Sequence, residues 1–123
     1  LSKLLIADDE EILRMLIEDT LEDLEVEIDT AVDGDEAYRK LSSGEYQIVL
    51  LDYMMPGMSG REVLEKLDEG LKTNLKILML TAKTQKEDQE ALKSAGADYF
   101  MAKPFSPVEL SDFVAELLNG DHE

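Results

Sequence analysis

The feature that most constrains this chain is a fivefold alternation. Apolar runs of strand length occur at 3–7 (KLLIA), 26–31 (VEIDTA), 47–51 (QIVLL), 76–80 (KILML) and 98–102 (DYFMA). Between them, apolar residues recur at helical spacing: Ile12, Leu13, Leu16, Ile17, Thr20, Leu21 and Leu24 mark one face, Val63, Leu64 and Leu67 a second, and Val108, Leu110, Phe113, Val114, Leu117 and Leu118 a third. Strand and helix in alternation imply a parallel sheet with right-handed crossovers and helices on both faces. Runs 3–7, 47–51 and 76–80 are apolar on both faces, as central strands covered on both sides must be. VEIDTA instead alternates, with Glu27 and Asp29 facing away from Val26 and Ile28, which suits an edge. The expected fold is therefore α/β, a doubly wound five-stranded parallel sheet in the order 2-1-3-4-5 with five helices. Its crevice opens beyond the carboxyl ends of strands 1 and 3.

Local punctuation agrees. A polar residue followed three places later by Glu forms a capping box, and four pairs fit: Asp33 with Glu36, Ser59 with Glu62, Thr84 with Glu87, and Ser106 with Glu109, the last with Pro107 at the first helical position. Gly44, Gly70, Gly96 and Gly120 read as helix stops. No repeat or Pro-rich linker interrupts the pattern, so residues 1–123 are expected to form a single domain. Because residue 1 is Leu and not Met, we expect the chain to be a piece of something longer.

Charge and composition narrow the function. The chain carries −17 at neutral pH, with 14 acidic and 2 basic residues in positions 1–36 alone. Such a surface opposes direct binding to nucleic acid or to anionic lipid. No cysteine is present, which removes thiol catalysis, thiolate metal sites and disulfides and fits a reducing compartment. With no apolar run of membrane-spanning length, a cytoplasmic protein with no membrane partner is expected.

The chemistry gathers at one edge of the expected sheet. Strand 1 ends in Asp8 and Asp9, strand 3 in Asp52 and strand 4 in Thr81, and strand 5 runs into Lys103 and Pro104. Two carboxylates about 4 Å apart repel by roughly 1 kcal/mol in water and by more where water is excluded. A hard divalent cation with oxygen ligands offsets that repulsion, and Mg2+, which keeps waters and favours phosphate oxygens, suggests phosphoryl chemistry. Thr81 and Lys103 would then offer a hydroxyl and an ammonium to the phosphoryl oxygens. Taken singly, each residue has a structural reading: a helix cap at Asp8 and Asp9, a turn at Asp52, a strand end at Thr81, a surface charge at Lys103 and core packing at Phe100. Their convergence on one crevice is what points to function.

Together the motifs ADDE at 7–10, LLDYMMPGMSG at 50–60, LTA at 80–82 and GADYFMAKPF at 96–105 resemble the receiver domain of bacterial two-component response regulators, over essentially the whole chain. The resemblance implies a flavodoxin-like fold and a phosphoacceptor signalling domain, not an enzyme in the usual sense. Asp52 would be the phosphoacceptor, taking the phosphoryl group from a phosphohistidine on a sensor histidine kinase or phosphotransfer protein. Asp9, Asp52 and the backbone carbonyl of Met54 would bind Mg2+, with Mn2+ able to substitute, while Asp8 would act through bound water. Thr81, the Ala82 amide and Lys103 would hold the phosphate, and Phe100 would be the switch aromatic.

The resemblance further implies a cis peptide bond before Pro104. It makes residues 84–95, strand 5 and the last helix the surface that talks to an effector domain or protein, and it leaves room for a phosphorylation-dependent dimer. Tyr99 and Phe113 stand where the winged-helix class of regulators expects Asp and Arg, so the resemblance does not extend to that class's dimer pairing. Met54 and Lys83 would border the phosphate and set its lifetime. His122, in the tail, is given no role.

Rival readings lack key residues. A phosphatase with an Asp nucleophile needs a second carboxylate two places on, where Met54 stands, and a flavin module needs a Ser/Thr/Gly-rich phosphate loop in place of ADDEE. A degenerate receiver serving only as a docking module remains the alternative.

Overall fold

The computed structural model describes residues 1–82 and 88–120. Its elements run β1 (Ser2–Ala7), α1 (Glu11–Thr20), β2 (Val26–Ala31), α2 (Gly34–Leu41), β3 (Ile48–Asp52), α3 (Gly60–Lys66), α4 (Glu69–Lys72), β4 (Lys76–Ala82), α5 (Gln89–Ala95), β5 (Tyr99–Lys103) and α6 (Pro107–Asn119). The five strands pair in parallel in the order β2-β1-β3-β4-β5. Where five helices were expected, six helical segments are described, because Leu67 turns to an extended conformation and Asp68 starts the separate single turn α4. Gly70 lies inside that turn and is not a stop. Lys83 and the Thr84–Glu87 cap, the first turn of the helix expected over 84–95, and His122 lie outside the described residues.

Strand alternation feeds two cores, one on each side of the sheet. Leu5, Ala7, Val49, Leu51, Ile77 and Met79 pack under α2, α3 and α5 with Ala37, Leu41, Val63, Leu64 and Leu92. Leu4, Ile6, Ile48, Leu50, Leu78 and Leu80 pack under α1 and α6 with Ile17, Leu21, Leu110, Val114 and Leu117. Each of the Val, Leu, Ile and Met side chains contributes on the order of 2 kcal/mol by leaving water. Ile12, Leu16 and Val108, counted among the buried faces from periodicity, are instead 81%, 44% and 69% exposed.

The caps form much as expected. Ser59 and Glu62 make a full capping box, Ser106 accepts from the Glu109 amide, and Asp33 accepts from the Glu36 amide. The Glu36 carboxylate reaches one residue further back than the box requires, to the Val32 amide. Gly96 and Gly120 close α5 and α6 at φ +121° and +73°.

Lys72 joins two helix ends: its ammonium donates to the carbonyls of Leu64 in α3 and Ala95 in α5, each at 2.7 Å. At the β2 edge, Asp29 shares the sheet face of its partner Leu5, and there it is anchored by accepting from the Tyr46 hydroxyl at 2.5 Å and from Lys40 at 3.2 Å. None of the helices among the described residues is long and apolar enough to cross a membrane.

Candidate functional site

The register of the central strands builds the site. Ala7 pairs with Leu51, so the next residues, Asp8 and Asp52, leave β1 and β3 side by side. Asp8, Asp9 and Asp52 present carboxylate oxygens that all lie within 4.8 Å of one another. The buried polar residues among those described are Asp8, Asp52 and Thr81, all three predicted site positions. Asp9 is exposed and faces the opening. Burying two carboxylates costs several kcal/mol unless they are paired, and β5 supplies the partner. The Lys103 ammonium lies 3.0 Å from Asp8 Oδ2, 3.2 Å from Asp52 Oδ1 and 3.8 Å from Glu10 Oε1. Because β4 stands between β3 and β5, Lys103 reaches over the end of β4 to make these contacts. The Lys103–Pro104 peptide bond is cis.

One ammonium does not neutralise three carboxylates. Burial, then the charge of Asp8, push the Asp52 carboxyl up to about 6 against the opposing pull of Lys103 and the Met54 amide. Burial pulls the Lys103 ammonium down, but hydrogen bonds and charge from Asp8 and Asp52 outweigh it and leave it raised. The surplus of negative oxygen atoms, hard and close together, fits a hard divalent cation.

Asp8 is held on every side. Its Oδ1 accepts the Glu10 amide at 2.9 Å, its Oδ2 accepts Lys103, and its backbone carbonyl accepts the Arg14 guanidinium at 2.7 Å. Glu10 lies within the ADDE motif but carries no role in the sequence reading, and Arg14 has no signal there.

Residues 53–59, between β3 and α3, wrap the other side. The Tyr53 amide donates to the Leu80 carbonyl at 3.1 Å, the Gly60 amide to the Tyr53 carbonyl at 2.8 Å and the Gly34 amide to the Pro56 carbonyl at 3.2 Å. Met55 is buried, whereas the Met54 side chain is 65% exposed beside the acidic group.

Thr81 and Phe100 share the sheet face that carries Met79, since Thr81 pairs with Ala102 and Met79 with Phe100. Phe100 is half-buried against the core of that face, with the Lys93 ammonium 6.0 Å from its ring centre. Ala82, the last residue of β4, is exposed. On the opposite face Tyr99 and Phe113 form an edge-to-face pair with centroids 5.3 Å apart.

The family described as the response regulator receiver domain matches residues 4–115. The chain belongs to that family. As a receiver domain it is a signalling phosphoacceptor of the two-component type and not a classical enzyme, and its acidic pocket with Lys103 is consistent with that role. Transcriptional regulatory protein ResD of Bacillus subtilis is 41% identical over 117 residues, covering 95% of this chain and 48% of that protein. The chain spans about half the length of the curated relatives it matches. Among solved structures, a CheY-like receiver domain from Methanospirillum hungatei superposes with a TM-score of 0.87 at 29% identity, covering 98% of this chain and 95% of that one. The chemotaxis response regulator CheY4 of Vibrio cholerae gives 0.86 at 31% identity, covering 95% and 98% respectively.

Proposed function

We propose that residues 1–123 act as one receiver domain in which Asp52 accepts a phosphoryl group reversibly from a phosphohistidine. The carrying observation is the meeting of Asp8, Asp9 and Asp52 within 4.8 Å around a strand end that Lys103 also reaches. An oxygen of the Asp52 carboxylate attacks phosphorus, the P–N bond to the donor imidazole breaks, and that nitrogen leaves with the bonding pair and takes a proton from solvent. The product is an aspartyl phosphate. Asp9, Asp52 and the Met54 carbonyl would hold Mg2+, or Mn2+ in its place, with Asp8 acting through water. Bound there, the cation would supply charge neutralisation for the transferring oxygens. Lys103, the Thr81 hydroxyl and the Ala82 amide would receive the phosphate oxygens as they spread in the transition state.

The donor is a sensor histidine kinase or phosphotransfer protein. Exposed Ile12, Met15 and Leu16 on α1, beside a groove lined by Leu13, Pro104 and Phe105, give it an apolar surface next to the acidic pocket. Phosphate would draw Thr81 inward and let Phe100 follow, which alters the surface of α5, β5 and α6 read by an effector domain or protein. A phosphorylation-dependent dimer on that surface would not use the Asp–Arg pairing of the winged-helix class, because Tyr99 and Phe113 engage each other within the chain. The compartment is cytoplasmic.

The test is incubation with acetyl phosphate or a phosphorylated histidine kinase, with and without Mg2+, followed by intact mass. The parent should gain one hydroxylamine-sensitive phosphoryl group only with the metal, and Asp52→Asn should gain none. Equal labelling of Asp52→Asn, or labelling indifferent to Mg2+, overturns the reading. Absence of any saturable spectral change with beryllofluoride and Mg2+ would favour the docking-module alternative.

A further inference from the structure

The acidic residues explain the charge of the site but not its shape. A Mg2+ ion demands near-octahedral oxygen ligands at 2.0–2.1 Å, so a ligand carried on a loop is useful only if the loop is fixed. Residues 53–59 have little regular structure; the Tyr53 amide on the Leu80 carbonyl and the buried Met55 hold part of the segment, and two glycines seat the rest. An ideal Cβ placed on Gly34 would sit 1.8 Å from the Met58 carbonyl oxygen, 2.6 Å from its carbonyl carbon and 2.7 Å from its Cβ. The loop backbone therefore rests directly on the bare Cα at the start of α2. The Gly34 amide then ties that seat to the Pro56 carbonyl at 3.2 Å. At the far end, a Cβ on Gly60 would meet the Asp52 carbonyl oxygen at 2.5 Å, and its amide holds the Tyr53 carbonyl. Gly60 belongs to the Asp52 turn itself, but Gly34 comes from a different crossover, and the three atoms nearest a Cβ there all belong to Met58.

We propose that Gly34 is a positioning residue for the divalent cation: the absence of a side chain there lets α2 set the height of the 53–59 loop, and with it the Met54 carbonyl. The inference rests on the reading that this carbonyl is a metal ligand. The neighbours a Cβ would strike are mostly backbone, which cannot swing aside as the tip of a flexible side chain can, so an alanine moves the loop as a unit. No carboxylate is altered, yet the octahedron loses its geometry.

A side chain at 34 that merely loosened the fold would weaken every cation alike. One that displaces a single ligand separates cations by their tolerance, because Ca2+ accepts irregular shells of longer bonds and Mg2+ does not.

The experiment is calorimetric titration of the parent, Gly34→Ala and the control Gly70→Ala with Mg2+ and, separately, Ca2+. At Gly70 an added Cβ has its nearest neighbour, Asp68 Oδ2, at 3.4 Å. Gly34→Ala should lose about tenfold or more in Mg2+ affinity, the range typical of groups that orient ligands, and should lose several times less for Ca2+, while Gly70→Ala matches the parent. Equal losses for both ions, or none, overturn the proposal. If circular dichroism shows Gly34→Ala unfolded, Pro56→Gly, which loosens the exposed loop from within, must shift the same Mg2+/Ca2+ ratio, and an unchanged ratio overturns it. Asp9→Asn separates the two levels of argument: if it binds Mg2+ as the parent does, the metal reading itself fails, whatever Gly34→Ala shows.

Discussion

In the metal-free protein, Asp52 should cost stability at neutral pH. Its carboxyl is raised from an ordinary value of 3.8 to about 6 by burial and by Asp8, so the folded state holds that proton more tightly than the unfolded chain does. With a raised folded value, the stabilising contribution is fully present below the unfolded value and is lost as pH rises through the folded one. Between about pH 4 and pH 6 the parent therefore gives up roughly 2–3 kcal/mol, two pH units at about 1.4 kcal/mol each less some local relaxation. Asp52→Asn keeps the size of the side chain and has no charge to lose, while Lys103 retains Asp8 at 3.0 Å.

In chelator, thermal unfolding followed by circular dichroism should place Asp52→Asn above the parent by about 8–12 °C at pH 7, taking about 4 °C per kcal/mol for a domain of this size. The difference should shrink to near zero at pH 4. Saturating Mg2+ should close the gap from the other side, since it binds the folded parent and stabilises it by mass action. An Asn variant no more stable than the parent at pH 7, or equally stabilised at pH 4 and pH 7, would refute the claim that an uncompensated charge is held in this pocket.

Two further outcomes follow from neighbouring features. Lys72→Met keeps the aliphatic stem beneath Gly96 but strips the charged donor from the Leu64 and Ala95 carbonyls; it should lower stability by about 2–3 kcal/mol in urea and speed amide exchange across Gln89–Ala95. Unchanged exchange there would show that α5 is held by other means. Met54→Ala removes an exposed side chain beside Asp52 and should shorten the life of the aspartyl phosphate by admitting water. An identical decay rate would remove Met54 from that role.

The sheet was legible because its signals are local. VEIDTA has the predicted bounds, and the three runs apolar on both faces are the three strands whose middles are buried on both sides. The strand ends fall a residue or two later at Asp52, Ala82 and Lys103, where hydrogen bonding continues past the last apolar residue. Asp8, Asp9, Asp52 and Lys103 were readable as a group because strand order alone sends them to one edge. Ile12, Leu16 and Val108 misled because periodicity counts apolar residues on a helix and cannot say how much of the stripe the sheet will cover. The break at Leu67 depends on packing that no spacing encodes. Gly34 looks in sequence like any residue after a cap; its importance lies in a carbonyl 24 positions away and becomes visible only when the two backbones are seen in contact.

The division of the interior into two cores gives β5 a particular property. Tyr99 and Phe100 are adjacent in the chain yet serve opposite sides of the sheet, Phe100 packing toward Met79 and Leu92, and Tyr99 toward Phe113 on α6. Both rings hang from one stretch of β5 main chain, so a displacement of that strand, unlike a rotation of either side chain alone, would move the two together. A shift of β5 beside Thr81 would then be felt at Phe113 on α6 with no side chain passing through the middle of the sheet.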